Sequence, residues 1–194
     1  RLGVGVQAIV VASRVERVVL DDGRELDADV VVVGIGVAPS TGWLTGSGLV
    51  IDDGVVCDAS CVALGSDGRV VAVGDVARWT NPLFGRSMRL EHWTNAGEQA
   101  DHAARALLHG SATAGEFAPV PYFWSDQYGT KLQFYGTFDA GDEVRVVEGA
   151  LEEGAFVATY GRQSTTVGAL CVGRPGRAMA YRTAVADRTP FPPA

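Results

Sequence analysis

Cysteine is too scarce and too irregularly placed in this chain to build a fold on. Cys57 and Cys61 are four apart, not in the C-x-x-C spacing of a redox motif or zinc knuckle, and Cys171 stands alone. A disulfide framework is therefore excluded, and buried reduced thiols, compatible with a cytoplasmic setting, are expected. No stretch approaches the roughly 20 apolar residues of a membrane helix. No cationic leader precedes an apolar run, so no membrane partner is expected. Positive charge is in the minority: 16 Lys+Arg against 23 Asp+Glu leave a net charge of −7, which argues against nucleic acid as a partner. No metal-ligand cluster, paired-acid constellation or activated nucleophile stands out, so no catalytic and no metal-binding residue is assigned.

What remains is ordinary globular material, 47% hydrophobic and 20% charged over 194 residues. Residues 4–20 alternate loosely in Val and Ile, and Asp21-Asp22-Gly23 separates them from Arg24–Leu26. This predicts an antiparallel strand, turn and strand. Val30–Val33 is an unbroken β-branched run, typical of a strand covered on both faces. Gly34-x-Gly36-x-x-Pro39 lacks the third glycine of a dinucleotide fingerprint, and Pro39 blocks the helix that should follow. Further on, a helical turn at 41–47 with Trp43-Leu44 inward, a hairpin over 48–56 turned at Asp52-Asp53-Gly54, and a strand at 70–74 are expected. Residues 78–88 read as an irregular exposed loop.

Ala96, Ala100, Ala103, Ala104, Leu107 and Leu108 fall at helical spacing within a helix over 94–108. Residues 110–121 have linker composition, and a domain boundary is placed there. Strands near 131–136, 143–148, 155–160 and 165–172 read as an antiparallel meander. A final helix begins at Pro175 and runs through Ala186.

Gly74-Asp75 ends the apolar run 70–73, and sixteen residues later Glu91-His92-Trp93 opens the helical stretch. A carboxylate at the carboxyl end of a buried strand sits where open α/β sheets bind ligands. It is a fixed acceptor for a ribose or sugar-alcohol hydroxyl, worth about 1.5–3 kcal/mol when charge-assisted. The helix start supplies free backbone N–H groups and a positive dipole end. Hydroxyls at one end and an anionic-capable ring at the other describe a flavin. The plainer readings are a turn-forming Asp, a helix-start Glu91, a satisfied histidine and packing tryptophans.

Taken together, VVVGIGVAP (31–39), VVAVGDVA (70–77), RLEHWTNAGEQA (89–100) and YFWSDQYG (122–129) resemble the FAD-dependent NAD(P)H ferredoxin and rubredoxin reductases. These belong to the pyridine nucleotide-disulfide oxidoreductase-like superfamily. The resemblance runs from about residue 3 to 185. It implies a fold that is α/β and α+β: the remnant of a flavoprotein with two dinucleotide-binding domains, followed by a C-terminal antiparallel sheet with a helix.

The implied division is 1–36 as the end of the NAD(P)-binding domain, 37–112 as the second FAD-binding segment and 113–194 as the C-terminal reductase domain. The chain would then correspond to about half of such an enzyme. Its missing N-terminal half, which carries the two G-x-G-x-x-G turns, would be a partner in holding cofactor.

By the same resemblance FAD is the cofactor and NAD(P)H the co-substrate. Gly74, Asp75, Glu91, His92, Trp93, Thr94 and Trp124 are the cofactor-binding residues, and ferredoxin or rubredoxin is the electron-accepting partner. Asp75 would hold the ribityl chain. The amides of residues 92–94 would face the flavin N1–C2=O edge, where a helix dipole tunes the potential by about 0.3–2 kcal/mol. Asp126 and Gln127 would steady the loop that carries Trp124. Since a ferredoxin is acidic, docking calls for a local basic patch, for which Arg78, Arg86 and Arg89 are candidates. A second reading stands beside this one: a non-catalytic binding or assembly module unable to hold FAD alone.

Overall fold

The computed structural model describes residues 3–193. The chain divides into two compact units, residues 1–38 and 39–194.

In the first unit, β1 (Val6–Val11), β2 (Val15–Leu20) and β3 (Glu25–Asp27) form an antiparallel sheet in that order. The stretch read as one strand is two, because the chain reverses at Ala12, whose N–H donates to the Arg14 carbonyl at 3.0 Å. The turn at 21–23 lies where expected, closed by Leu20 N–H to the Arg24 carbonyl at 2.8 Å. Val30–Val33 is a correction. It joins no ladder among the described residues, and Val32 is 91% exposed. A doubly covered strand exists only if neighbours supply hydrogen bonds on its edges and apolar cover on its faces, and neither is present here.

The second unit begins with a single 3-10 turn at Gly42–Leu44. Leu44 packs on the core, but Trp43 is 79% exposed, contrary to the expected inward pair. The hairpin expected over 48–56 reduces to one bridge, Ile51 to Val55. Strands β4 (Val55–Cys57), β5 (Ala77–Asn81) and β6 (Arg86–Arg89) form a small sheet, β4 parallel and β6 antiparallel to β5.

Residues 78–88 are thus a β-hairpin rather than an exposed loop. Trp79 and Asn81 are fully buried and alternate with the outward Arg78 and Thr80, a period that the polar Asn81 at an inward position conceals in the sequence. Trp79 packs on Phe117 and donates its indole N–H to the Phe117 carbonyl at 3.1 Å. Asn81 donates to the Pro119 carbonyl at 3.0 Å and accepts from the Leu83 N–H. The segment of linker composition therefore lies pinned against this core, with Phe117 and Val120 buried.

Helix α1 (Trp93–His109) stops at Gly110, whose φ of 83° most side chains avoid. Of the predicted alanine–leucine face, Ala103 is buried and Ala96 faces the Gly74 turn, while Ala100, Ala104, Leu107 and Leu108 are exposed. Asn95, Gln99, His102, Ala103 and Ala106 point inward, whereas Leu108 is 75% exposed. A one-turn α2 (Ser111–Ala114) follows.

Strands β7 (Tyr122–Gln127), β8 (Thr130–Gly136), β9 (Glu143–Ala150), β10 (Ala155–Arg162) and β11 (Thr165–Val172) make a five-stranded antiparallel sheet. Its order is β7-β8-β11-β10-β9, so the expected meander is corrected: β8 lies beside β11, not β9. Gly136 permits that pairing, since a Cβ there would fall 2.1 Å from the Val167 carbonyl oxygen. Helix α3 (Ala178–Ala186), led by a 3-10 turn at Pro175–Arg177, packs Tyr181 and Val185 on this sheet over Val157, Ala169 and Cys171. Among the described residues no helix is long and apolar enough to cross a membrane, and no group of potential metal ligands gathers.

Candidate functional site

The apolar run ahead of Gly74 is held by one bridge, Val71 to Val62, rather than by a strand ladder. The chain then enters the left-handed region at Gly74 (φ 70°) and makes a single 3-10 turn, Gly74–Val76, before β5. Glycine is required twice over. A side chain at this φ is strained, and its Cβ would lie 3.3 Å from that of Ala96. Helix α1 can therefore approach the turn closely. The buried Gly74 N–H donates to Gln99 Oε1 at 2.8 Å.

Asp75 is exposed, and among the described residues its carboxylate has neither a hydrogen bond nor an ion pair. Its backbone carbonyl accepts from Arg89 at 3.0 Å, and the same guanidinium reaches Glu91 at 2.6 Å and Asp53 at 3.3 Å. Arg89 thus ties the Gly-Asp turn to the approach of α1. The three arginines considered as a basic patch are all matched to carboxylates: Arg78 to Asp52, Arg86 to Asp139, Arg89 to Glu91 and Asp53. They present little free positive charge.

His92 is the last extended residue before α1, and its side chain does not cap the helix. The first-turn amides of Trp93, Thr94 and Asn95 have no partner within the helix. The His92 ring lies tilted against Phe123 with centroids 5.6 Å apart, and its Nδ1 is buried without a partner among the described residues. Burial lowers the His92 pKa from its ordinary 6.5, although the Glu91 and Asp75 carboxylates pull the other way. Neutral imidazole is the resting form at neutral pH.

Trp93 is 83% exposed and so does not pack in the core. Trp124, on β7, is part-exposed and stacks on Tyr122 at 5.5 Å, which in turn stacks on Tyr135 at 4.5 Å. Glu91, His92, Trp93, Tyr122, Phe123 and Trp124 line one open cleft of about 200 Å³. The segment expected as a loop is the rest of β7: there Gln127 bonds Ser125 Oγ at 3.1 Å, while the Asp126 side chain makes no hydrogen bond among the described residues.

The structure therefore gathers Glu91, His92, Trp93 and Trp124 at one cleft. Gly74 and Asp75 sit on the adjoining turn, joined to it through Gln99 and Arg89, and Thr94 stands in the first turn of α1. Sequence reasoning missed Gln99, Asn95 and Phe123, and it gave Arg89 to a docking patch rather than to the Gly74–Asp75 turn. One signal was available: Asn95, Gln99 and His102 recur at i, i+4 and i+7, a polar stripe at helical spacing. The numerous alanines concealed it.

An uncommitted carboxylate, a close-approach glycine and an open helix N-terminus beside aromatic rings suit a ligand with hydroxyls at one end and a planar, electron-rich ring at the other. The residues present fit a flavin. The chain belongs to the pyridine nucleotide-disulphide oxidoreductase family, whose family model matches residues 1–100. The reductase C-terminal family model matches residues 122–194.

Among curated relatives, the ferredoxin–NAD(+) reductase component of the anthranilate 1,2-dioxygenase system of Burkholderia cepacia is 41% identical over 160 residues, covering 79% of this chain and 38% of that protein. Rhodocoxin reductase of Rhodococcus erythropolis is 36% identical over 194 residues, covering 100% and 44%. The reductase in the covalent putidaredoxin reductase–putidaredoxin complex superposes with a TM-score of 0.82 at 32% identity, covering 98% of this chain and 45% of that one. The chain spans less than half the length of these relatives.

Proposed function

We propose that the protein contributes the second FAD-binding segment and the C-terminal domain of an NAD(P)H-oxidising ferredoxin or rubredoxin reductase working in the cytoplasm. The observation that carries this reading is the Gly74–Asp75 turn, docked on α1 with its carboxylate uncommitted and with open helix amides beside it. Residues 1–36, 37–112 and 113–194 are assigned to the end of the NAD(P)-binding domain, the FAD-binding segment and the C-terminal domain.

Asp75 accepts hydroxyl hydrogens of the ribityl chain, and Gly74 lets the ligand approach the backbone. The amides at the start of α1, at Trp93 and Thr94, orient the electron-rich edge of the ring and favour negative charge there. Glu91, clamped by Arg89, fixes the entry to that helix. His92 and Trp93 shape the cleft, and Trp124 on its tyrosine stack borders the path by which electrons leave for an iron–sulfur or rubredoxin-type carrier. FAD, when bound, supplies the conversion of a two-electron hydride into single electrons, and the protein sets geometry and potential.

Titration of the purified protein with FAD, followed by flavin absorbance and fluorescence, tests this. Binding is expected, and Asp75→Ala should weaken it at least tenfold, the equivalent of losing one charge-assisted hydrogen bond of about 1.5–3 kcal/mol. A colourless protein indifferent to FAD would instead support the non-catalytic module. This chain alone is expected to be inactive as a reductase, and NADH- or NADPH-driven reduction of a ferredoxin by it would overturn the reading that the pyrophosphate-binding turns of such an enzyme are needed beside it.

A further inference from the structure

Gln99 is fully buried, and the functional reading above gives it no role. Its side chain bonds in three directions. Oε1 accepts from the Gly74 N–H at 2.8 Å and more loosely from Asn95 Nδ2 at 3.4 Å, and Nε2 donates to Cys61 Sγ at 3.5 Å. A buried amide of this kind is costly unless satisfied. Here it is satisfied by three different parts of the chain: the turn that ends in Asp75, the first turn of α1, and the segment around Cys61.

The Cys61 end of this linkage is itself held in place. Asp58 Oδ1 accepts from the N–H groups of Ser60 (2.8 Å) and Val62 (3.0 Å), while Cys61 N–H donates to the Asp58 carbonyl at 3.1 Å. Cys61 sits at φ 68°, a left-handed conformation that non-glycine residues seldom adopt, and its side chain is wholly enclosed. That backbone places the sulfur where Gln99 Nε2 can reach it. Burial raises the thiol pKa to about 12, so it stays an uncharged SH group.

We propose that Gln99 is the positioning residue of the cofactor site. By holding the Gly74 amide to helix α1 and anchoring itself on the Cys61 sulfur, it fixes the spacing between the Asp75 carboxylate and the open amides at the start of that helix. No regular ladder holds the chain between Val73 and β5, so the turn is set against the helix by side chains: Gln99 on the Gly74 amide from within α1, and Arg89 on the Asp75 carbonyl from outside it. The hydroxyl acceptor and the helix amides contact opposite ends of one ligand, and a change in their separation costs binding even when each group is intact. The proposal rests on the flavin reading of the site.

The test compares Gln99→Leu, Gln99→Glu and Cys61→Ala with the unsubstituted protein, using FAD affinity, the shape of the bound-flavin absorbance band, and hydrogen exchange at the Gly74 amide. Gln99→Leu should accelerate exchange at Gly74, weaken FAD binding about tenfold or more and alter the band, with helix content retained. Gln99→Glu keeps an oxygen for the Gly74 amide and should recover most of the affinity. Cys61→Ala frees only the far anchor and should give a smaller loss in the same direction.

Should Gln99→Leu fail to fold, the other two variants decide: affinity and band equal to the unsubstituted protein in both Cys61→Ala and Gln99→Glu, with Gly74 exchange accelerated, overturns the proposal. So does accelerated exchange in Gln99→Leu with flavin affinity unchanged. If the unsubstituted protein itself binds no FAD, the functional reading fails and this proposal falls with it, an outcome distinct from any seen in the variants alone.

Discussion

The second unit contains two cores built on opposite plans. Around Trp79, Cys61, Ala77 and Ala103, strands are three to five residues long, and the backbone is held by side chains. Trp79, Asn81, Ser60 and His102 each bond a carbonyl between residues 115 and 119, and Gln99 bonds the Gly74 amide. Around Val157, Ala169 and Val185, a long antiparallel ladder satisfies the backbone by itself, and side chains fill space. The candidate site sits at the edge of the first core. An irregular backbone can present a bare glycine turn and an open helix end to a ligand, which a regular sheet cannot, and buried polar side chains then take over the work of the ladder.

The sharpest way to break this contrast is to remove its largest element. Trp79→Ala should cost about 3–5 kcal/mol, since it empties a buried indole site and leaves the Phe117 carbonyl without its donor. Chemical denaturation would measure it, and a loss below about 1 kcal/mol would mean that this core is held elsewhere. Next in size, Asn81→Ala should cost about 1–3 kcal/mol, because the Leu83 amide and Pro119 carbonyl lose their partner inside the protein.

The polar links of the five-stranded domain lie at its rim and answer to acid. Asp142, its side chain 2% exposed, is held below the usual carboxylate range first by its bonds to Arg162, and Glu148 first by those to Arg177. A carboxylate depressed in the folded state contributes stability above its unfolded value and loses it as pH falls through the folded one. Melting temperature should therefore hold steady at and above the ordinary carboxylate range and decline below it. Asp142→Asn should flatten part of that decline. The smallest effect is expected at Thr159, fully buried in the regular core with a hydroxyl that has no partner among the described residues. Thr159→Val should be neutral or stabilise by up to about 1 kcal/mol, opposite in sign to Asn81→Ala.

The same contrast governs what could be read from sequence. Strands β8 to β11 and helix α3 follow periods of two and 3.6 residues, and their positions are legible in the alternation of the chain. Their order is not, because the β8–β11 pairing depends on Gly136 and Gly168 passing backbone to backbone across 32 residues. In the first core the elements are too short for a period to develop. Trp79 meets Phe117 and Gln99 meets Cys61 across 38 residues in each case, contacts with no local signature. Val30–Val33 shows the converse: a strong local pattern that finds no strand partner among the described residues. Gly74, Asp75 and the start of α1 were legible because turn, carboxylate and helix onset are each local, whereas the amide that joins them was not.

The most direct test of the account is a structure of the flavin-loaded protein. The Asp75 carboxylate is expected within hydrogen-bond reach of a ribityl hydroxyl, with the amides at the start of α1 facing the polar edge of the ring. A flavin seated elsewhere, with Asp75 still turned to solvent, would contradict it.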